Sequence, residues 1–171
     1  MYARGALVLP WERSRRGPAV TTEKLGILPG GPMPQENAKE IVHEAHEAFS
    51  RGDREAFVAL WAEECEYQPA MERDIAGEEG VFRGHEGIRR WWQGMADSWK
   101  DWESEVHEVH KAGDQVLIAC TVRAEGRLSG AAIEAPYFQV TTIRDGKIFA
   151  SRDFSDRGRA LEAAGLFVNA S

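Results

Sequence analysis

The chain has 171 residues, 43% apolar and 29% charged, with 21 basic side chains against 28 acidic ones. That length suits one domain with an adequate core, and no apolar run approaches the ~20 residues of a membrane-spanning helix. The net charge of −7 argues against nucleic acid as a partner, because phosphate binding needs concentrated Lys and Arg.

Charge and proline are unevenly spread. Residues 1–35 hold five of the seven prolines and five basic residues against two acidic ones, so the remaining chain carries −10. No helical or strand period persists there, which predicts a flexible extension followed by a domain over 36–168. The stretch Ala6–Leu9 is too short for the apolar region of a secretion signal, so the expected location is cytoplasmic. Cys65 and Cys120 lie far apart and form no CxxC pair, as expected of two free thiols in a reducing compartment.

From Glu36 the pattern becomes regular. Ile41, Val42, Ala45, Ala48 and Phe49 recur at helical spacing, and Gly52-Asp53 reads as the end of one helix and the cap of the next. Phe57, Leu60 and Trp61 form the stripe of that second helix. Cys65–Gln68 reads as a short strand stopped by Pro69, and a charged, glycine-rich loop runs to Gly84. A third helix follows, with Ile88, Trp91, Trp92, Met95 and Trp99 along one broad aromatic face. As plain packing that face needs no ligand; as a pocket wall it would hold one.

Beyond Lys100 the pattern is extended, with strands near 102–111, 115–126, 132–144 and 147–155. Their short connections at Gly113, Gly130 and Asp145-Gly146 predict antiparallel neighbours in a meander. Helices first and strands later make an α+β fold, its curved sheet enclosing a concave space. Asp156 is placed to cap a last short helix ending near Gly165.

Taken in order, Gly52-Asp53 before Phe57, Tyr67-Gln68-Pro69, Phe82-Arg83-Gly84-His85-Glu86-Gly87-Ile88, Ala112-Gly113-Asp114, Gln139-Val140, Arg144–Ile148 and Ala160–Leu166 are recognisable. With these residues the chain resembles the SnoaL-like branch of the nuclear transport factor 2-like superfamily. The resemblance implies a cone-shaped α+β barrel, commonly a homodimer, with a pocket for a small hydrophobic or polycyclic molecule. It also implies acid/base chemistry without metal or cofactor, as an isomerase, cyclase or epoxide-hydrolase-like enzyme. Fold alone does not fix function, and a non-catalytic binding or dimerisation module is the alternative.

The run Arg152-Asp153-Phe154-Ser155-Asp156 is similar to the final strand of limonene-type epoxide hydrolases, which makes Asp153 the first candidate base. Those enzymes pair it with an Arg-x-Asp on an earlier strand, for which Arg123-Ala124-Glu125 is a loose counterpart. Residues two apart share a strand face, so Arg123 and Glu125 are expected to point inward together, or else to form an exposed ladder. Tyr67 or Arg123 is the candidate hydrogen-bond donor. Trp61, Trp91, Trp92, Met95, Tyr137, Gln139 and His46 are the candidate ligand contacts.

The histidines do not make a metal centre. His43 and His46 lie at i, i+3 with no Cys or Asp motif beside them, and His107 and His110 point to opposite strand faces. The loop from Pro69 to Gly84 is a candidate lid, with Met71, Ile75 and Val81 as its apolar contacts.

Overall fold

Apolar spacing of four, three and four residues places Ala38, Val42, Ala45 and Phe49 on one buried stripe. That stripe makes helix α1 (Gln35–Ser50) and turns it onto the sheet. A computed structural model describes residues 35–70 and 80–166. The proposed extension over 1–35 therefore lies outside the described residues apart from Gln35, as does the greater part of the proposed lid, including Met71 and Ile75.

Gly52 ends α1 with φ of 74°, and its N–H and that of Asp53 bond back to Phe49 O and Ala48 O. Those two bonds close the helix end in the paired pattern that a left-handed residue permits. Asp53 then caps α2 (Arg54–Ala59), accepting from Ala56 N at 3.1 Å. Strand β1 (Trp61–Gln68) follows, with β2 (Phe82–Arg83), helix α3 (Gly84–Ser98) and strand β3 (Trp99–Ala112). Strands β4 (Gln115–Gly126), β5 (Ala132–Arg144) and β6 (Lys147–Phe154) complete the sheet, and α4 (Arg157–Ala163) closes the described chain. Asp156 caps α4 by accepting from Arg159 N at 2.8 Å.

The six strands lie in the order β2-β1-β6-β5-β4-β3 in one curved, unclosed sheet. The last four form the expected antiparallel meander. Strand β1 instead runs parallel to β6, with Tyr67 opposite Ser151. The β5–β6 hairpin turns through Asp145 and Gly146, at φ of 51° and 73°, the left-handed pair that an Asp-Gly turn supplies.

Two expected boundaries differ. Trp61 opens β1, four residues earlier than the predicted strand, because its backbone pairs with Ile148. Trp99 opens β3 rather than ending the helical stripe, because it pairs with Gly126 across the sheet edge. In both cases a long-range partner overrides local periodicity.

Core packing fixes which way each strand faces. Aromatic residues of α1, α2, α3 and β1 (Phe49, Phe57, Trp61, Tyr67, Trp91 and Trp92) make one cluster on the inner side of the sheet. On the outer side α4 packs Ala160 and Leu161 against Leu117, Val140 and Phe154. With Val140 and Phe154 turned outward, strand alternation turns Gln139, Thr141, Ser151 and Asp153 inward. Among the described residues no helix is long and apolar enough to cross a membrane.

Candidate functional site

Between α1, α3 and the inner face of β4–β6 lies a cavity of about 380 Å³. Its apolar wall comes from Phe49, Phe57, Trp61, Trp91, Met95 and Val122 among others, and its polar side from Tyr67, His46, Tyr137, Gln139, Ser151 and Asp153. That composition, mostly apolar with a few convergent polar groups, is the usual form of a small-molecule site.

Asp153 is 6% exposed. The Tyr67 hydroxyl donates to its Oδ2 at 2.6 Å, and Gln139 Nε2 donates to its Oδ1 at 2.9 Å. Register brings the three together: Gln139 lies opposite Asp153 across β5–β6, and Tyr67 sits on the parallel neighbour β1. A buried carboxyl group is costly unless it is hydrogen-bonded, and both oxygens are. Beside it the Thr141 and Ser151 hydroxyls pair at 2.8 Å.

The polar chain continues away from Asp153. Gln139 Oε1 meets His46 Nε2 at 3.0 Å, His46 Nδ1 meets Ser104 Oγ at 2.7 Å, and Ser104 Oγ meets the Tyr137 hydroxyl at 2.9 Å. Ser104 is held in turn by its N–H donating to Ser50 Oγ at 2.9 Å. Burial pulls the His46 imidazole down to about 4, so it is neutral at pH 7 and offers one donor and one acceptor. Burial also pushes the Tyr137 phenol and the Cys120 thiol well above their ordinary values. Both keep their protons.

The expected site residues divide between the two sheet faces. Asp153, Tyr67, Trp61, Trp91, Met95, Tyr137, Gln139 and His46 all line the cavity. Arg123 and Glu125 do not. Their neighbours Val122 and Ala124 take the inner face of β4, which turns Arg123 and Glu125 outward. Arg123 there reaches Glu103 at 3.2 Å, Glu105 at 3.0 Å and Glu134 at 3.1 Å. Glu125 pairs with Lys100 at 2.8 Å.

Trp92 does not line the cavity either. One residue on from Trp91 along α3, it turns away from the cavity and packs edge-on against Phe49 and Trp102, with centroids 5.8 and 5.9 Å away. Sequence reasoning missed Ser104 and Phe49. The alternation of Ser104 with the exposed Glu103 and Glu105 was a signal for the first, and the α1 stripe was the signal for the second.

The histidine pairs stay apart: His43 is exposed where His46 is buried. His107 meets Thr121 Oγ1 at 2.7 Å, while His110 meets Glu108 at 2.8 Å. No group of three His, Cys, Asp or Glu among the described residues is placed to hold a metal ion.

Comparison with known proteins follows the same lines as the geometry. A family model for the SnoaL-like domain matches residues 42–151. No protein of curated function matches the sequence. A nuclear transport factor 2-like protein of unknown function from Burkholderia pseudomallei is 19% identical, with 78% of this chain and 98% of that one aligned at a TM-score of 0.62. TerC, co-crystallised with polyporic acid, is 20% identical over 75% of this chain and 98% of its own, also at 0.62. IdmH from Streptomyces antibioticus, described as a candidate polyketide cyclase, is 23% identical over 74% and 97%, at 0.59. At such identities the likeness is one of fold. The match over 42–151, more than half of the chain, places it in the SnoaL-like domain family.

Proposed function

We propose that this chain takes a small hydrophobic or polycyclic molecule into its cavity and moves a proton on it without a cofactor, with Asp153 as the base. The observation that carries this reading is the convergence of Tyr67 and Gln139 on Asp153 at the wall of an otherwise apolar cavity. A carboxylate can abstract a proton there, and the Tyr67 hydroxyl, which donates to Asp153 in this structure, can turn its proton to a ligand oxygen that gains charge. The outward position of Arg123 and Glu125 favours a reaction other than epoxide opening, which would use an Arg-x-Asp partner. Isomerisation or cyclisation of an enolisable ketone is therefore a better fit than epoxide opening.

The test is a screen of enolisable polycyclic ketones, with epoxides alongside, using wild type and Asp153→Asn. The expected result is turnover of a ketone that falls on the order of 100-fold or more in the variant. Equal turnover by both proteins removes Asp153 from the base role.

A second reading has its own support. The polar side chains of Asp153, Gln139, His46 and Ser104 satisfy one another, as they would in a binding module whose network is structural. Saturable binding of such ketones with no turnover of ketone or epoxide would select it. The family resemblance also carries a homodimer, for which light scattering should give twice the 19.1 kDa chain mass; a monomer mass at micromolar concentration would reject it.

A further inference from the structure

We propose that His46 is a positioning residue for Asp153: acting through Gln139, its tautomer is tied to the charge of the carboxyl group. The chain of hydrogen bonds then reverses when Asp153 takes a proton.

The argument is donor counting along Asp153, Gln139, His46, Ser104 and Tyr137. A carboxylate only accepts, so the Gln139 amide must turn its NH2 toward Asp153 and its oxygen toward His46. That oxygen needs a donor, which places the imidazole proton on Nε2. Nδ1 is then an acceptor, so the Ser104 hydroxyl donates to it and itself accepts from Tyr137. Every donor in the chain points toward Asp153.

A second arrangement satisfies the same five groups. With the proton on Asp153 Oδ1, the carboxyl group donates to Gln139 Oε1 and the amide NH2 donates to His46 Nε2. The imidazole proton then sits on Nδ1 and is given to Ser104, whose hydroxyl turns to the Tyr137 oxygen. The Tyr137 hydroxyl turns to the neighbouring Cys120 sulfur, a weak acceptor. Mixed arrangements leave two donors or two acceptors face to face, which in a buried site costs about as much as a lost hydrogen bond.

Protons balance between the two arrangements. Asp153 gains one, from an acidic C–H or O–H of the bound molecule whose electron pair stays with that molecule. On His46 a water molecule entering the cavity takes the Nε2 proton and returns one to Nδ1, so the ring stays neutral and the water is regenerated. The Ser104 and Tyr137 hydroxyls and the Gln139 amide keep their protons and rotate. Burial keeps Tyr137 and the neighbouring Cys120 protonated, so the far end of the chain neither releases nor takes up charge. It answers the charge at residue 153 by reorientation alone. The link between residue 153 and His46 stands on geometry; only its use in turnover rests on the function proposed above.

The experiment reads the tautomer directly, by long-range proton–nitrogen correlation spectra of histidine-labelled protein at pH 7, with His46→Gln to assign the signal. Wild type is expected to show the proton on Nε2. Asp153→Asn places an amide where the carboxylate was. A phenol donates better than it accepts, so the Asn oxygen turns to Tyr67, and its NH2 turns to Gln139. The His46 proton should then move to Nδ1. Gln139→Leu cuts the chain, and both tautomers should be populated.

An unchanged tautomer in a folded Asp153→Asn protein overturns the proposal. If that variant does not fold, a pure Nε2–H ring in Gln139→Leu overturns it equally. The two proposals fail separately. Turnover that depends on Asp153 with a fixed His46 tautomer removes the relay alone, and a tautomer change with no turnover on any substrate removes the catalytic reading alone.

Discussion

Asp153 and Arg152 are neighbours on β6, yet only the aspartate enters the cavity; Arg152 is exposed and reaches Gln68 at 3.2 Å. The sequence showed two adjacent charged residues, which a strand turns to opposite faces, but not which of them faces inward. Packing of Phe154 against α4 sets that choice, and that contact is invisible to local pattern. His46 was harder still, because a histidine beside an apolar stripe fits a surface edge as well as a pocket wall. Its burial has a measurable consequence. The folded ring titrates near 4 instead of 6.5, so between those values the unfolded chain binds a proton that the folded chain refuses. Stability from this group is therefore complete above pH 6.5 and falls as the pH drops toward 4. Urea unfolding at pH 7 and 4.5 should show a loss roughly 2–3 kcal/mol larger in wild type than in His46→Gln. Equal losses would mean that the ring is not the source.

Strand β4 repeats the lesson at the scale of an element. Arg123 and Glu125 share a face, as period two requires, but it is the outer one, because Val122 and Ala124 supply the cavity wall. Nothing in the local sequence chose between the faces; the small Ala124 between two charged residues was the available hint. Helix α3 is similar, since a stripe broad enough to include both Trp91 and Trp92 cannot say which of them meets a ligand. For Arg123 the outer position makes a clear prediction. Its guanidinium sits among Glu103, Glu105 and Glu134, so Arg123→Ala leaves three carboxylates facing one another. The melting midpoint should fall at low ionic strength, and added salt should narrow the gap to wild type, because exposed charges are screened. Binding of an apolar ligand should be unchanged. Weakened binding at constant stability would return Arg123 to the site.

For the whole molecule, the order of turns, caps and apolar runs was enough to anticipate an α+β fold with a meander, because each of those signals is local. The parallel pairing of β1 with β6 was not legible. It joins segments more than eighty residues apart, and it is what carries Tyr67 to Asp153. The helices and the inner sheet face leave a partly open cavity of about 380 Å³, whereas closed interiors normally pack without gaps of that size. Space left open in an apolar wall forgoes contacts that a larger side chain would make. Ala124 is 6% exposed and lines that space, so Ala124→Leu should extend into it. The added carbons gain burial without displacing packed neighbours, and stability should hold or rise by about 1–2 kcal/mol. The same carbons occupy volume that a ligand needs, so affinity for an apolar ligand should fall while the melting midpoint does not. Urea unfolding and a ligand titration on one preparation separate these effects. A destabilised variant that binds as before would mean that residue 124 faces solid core, and the cavity would then not be the site.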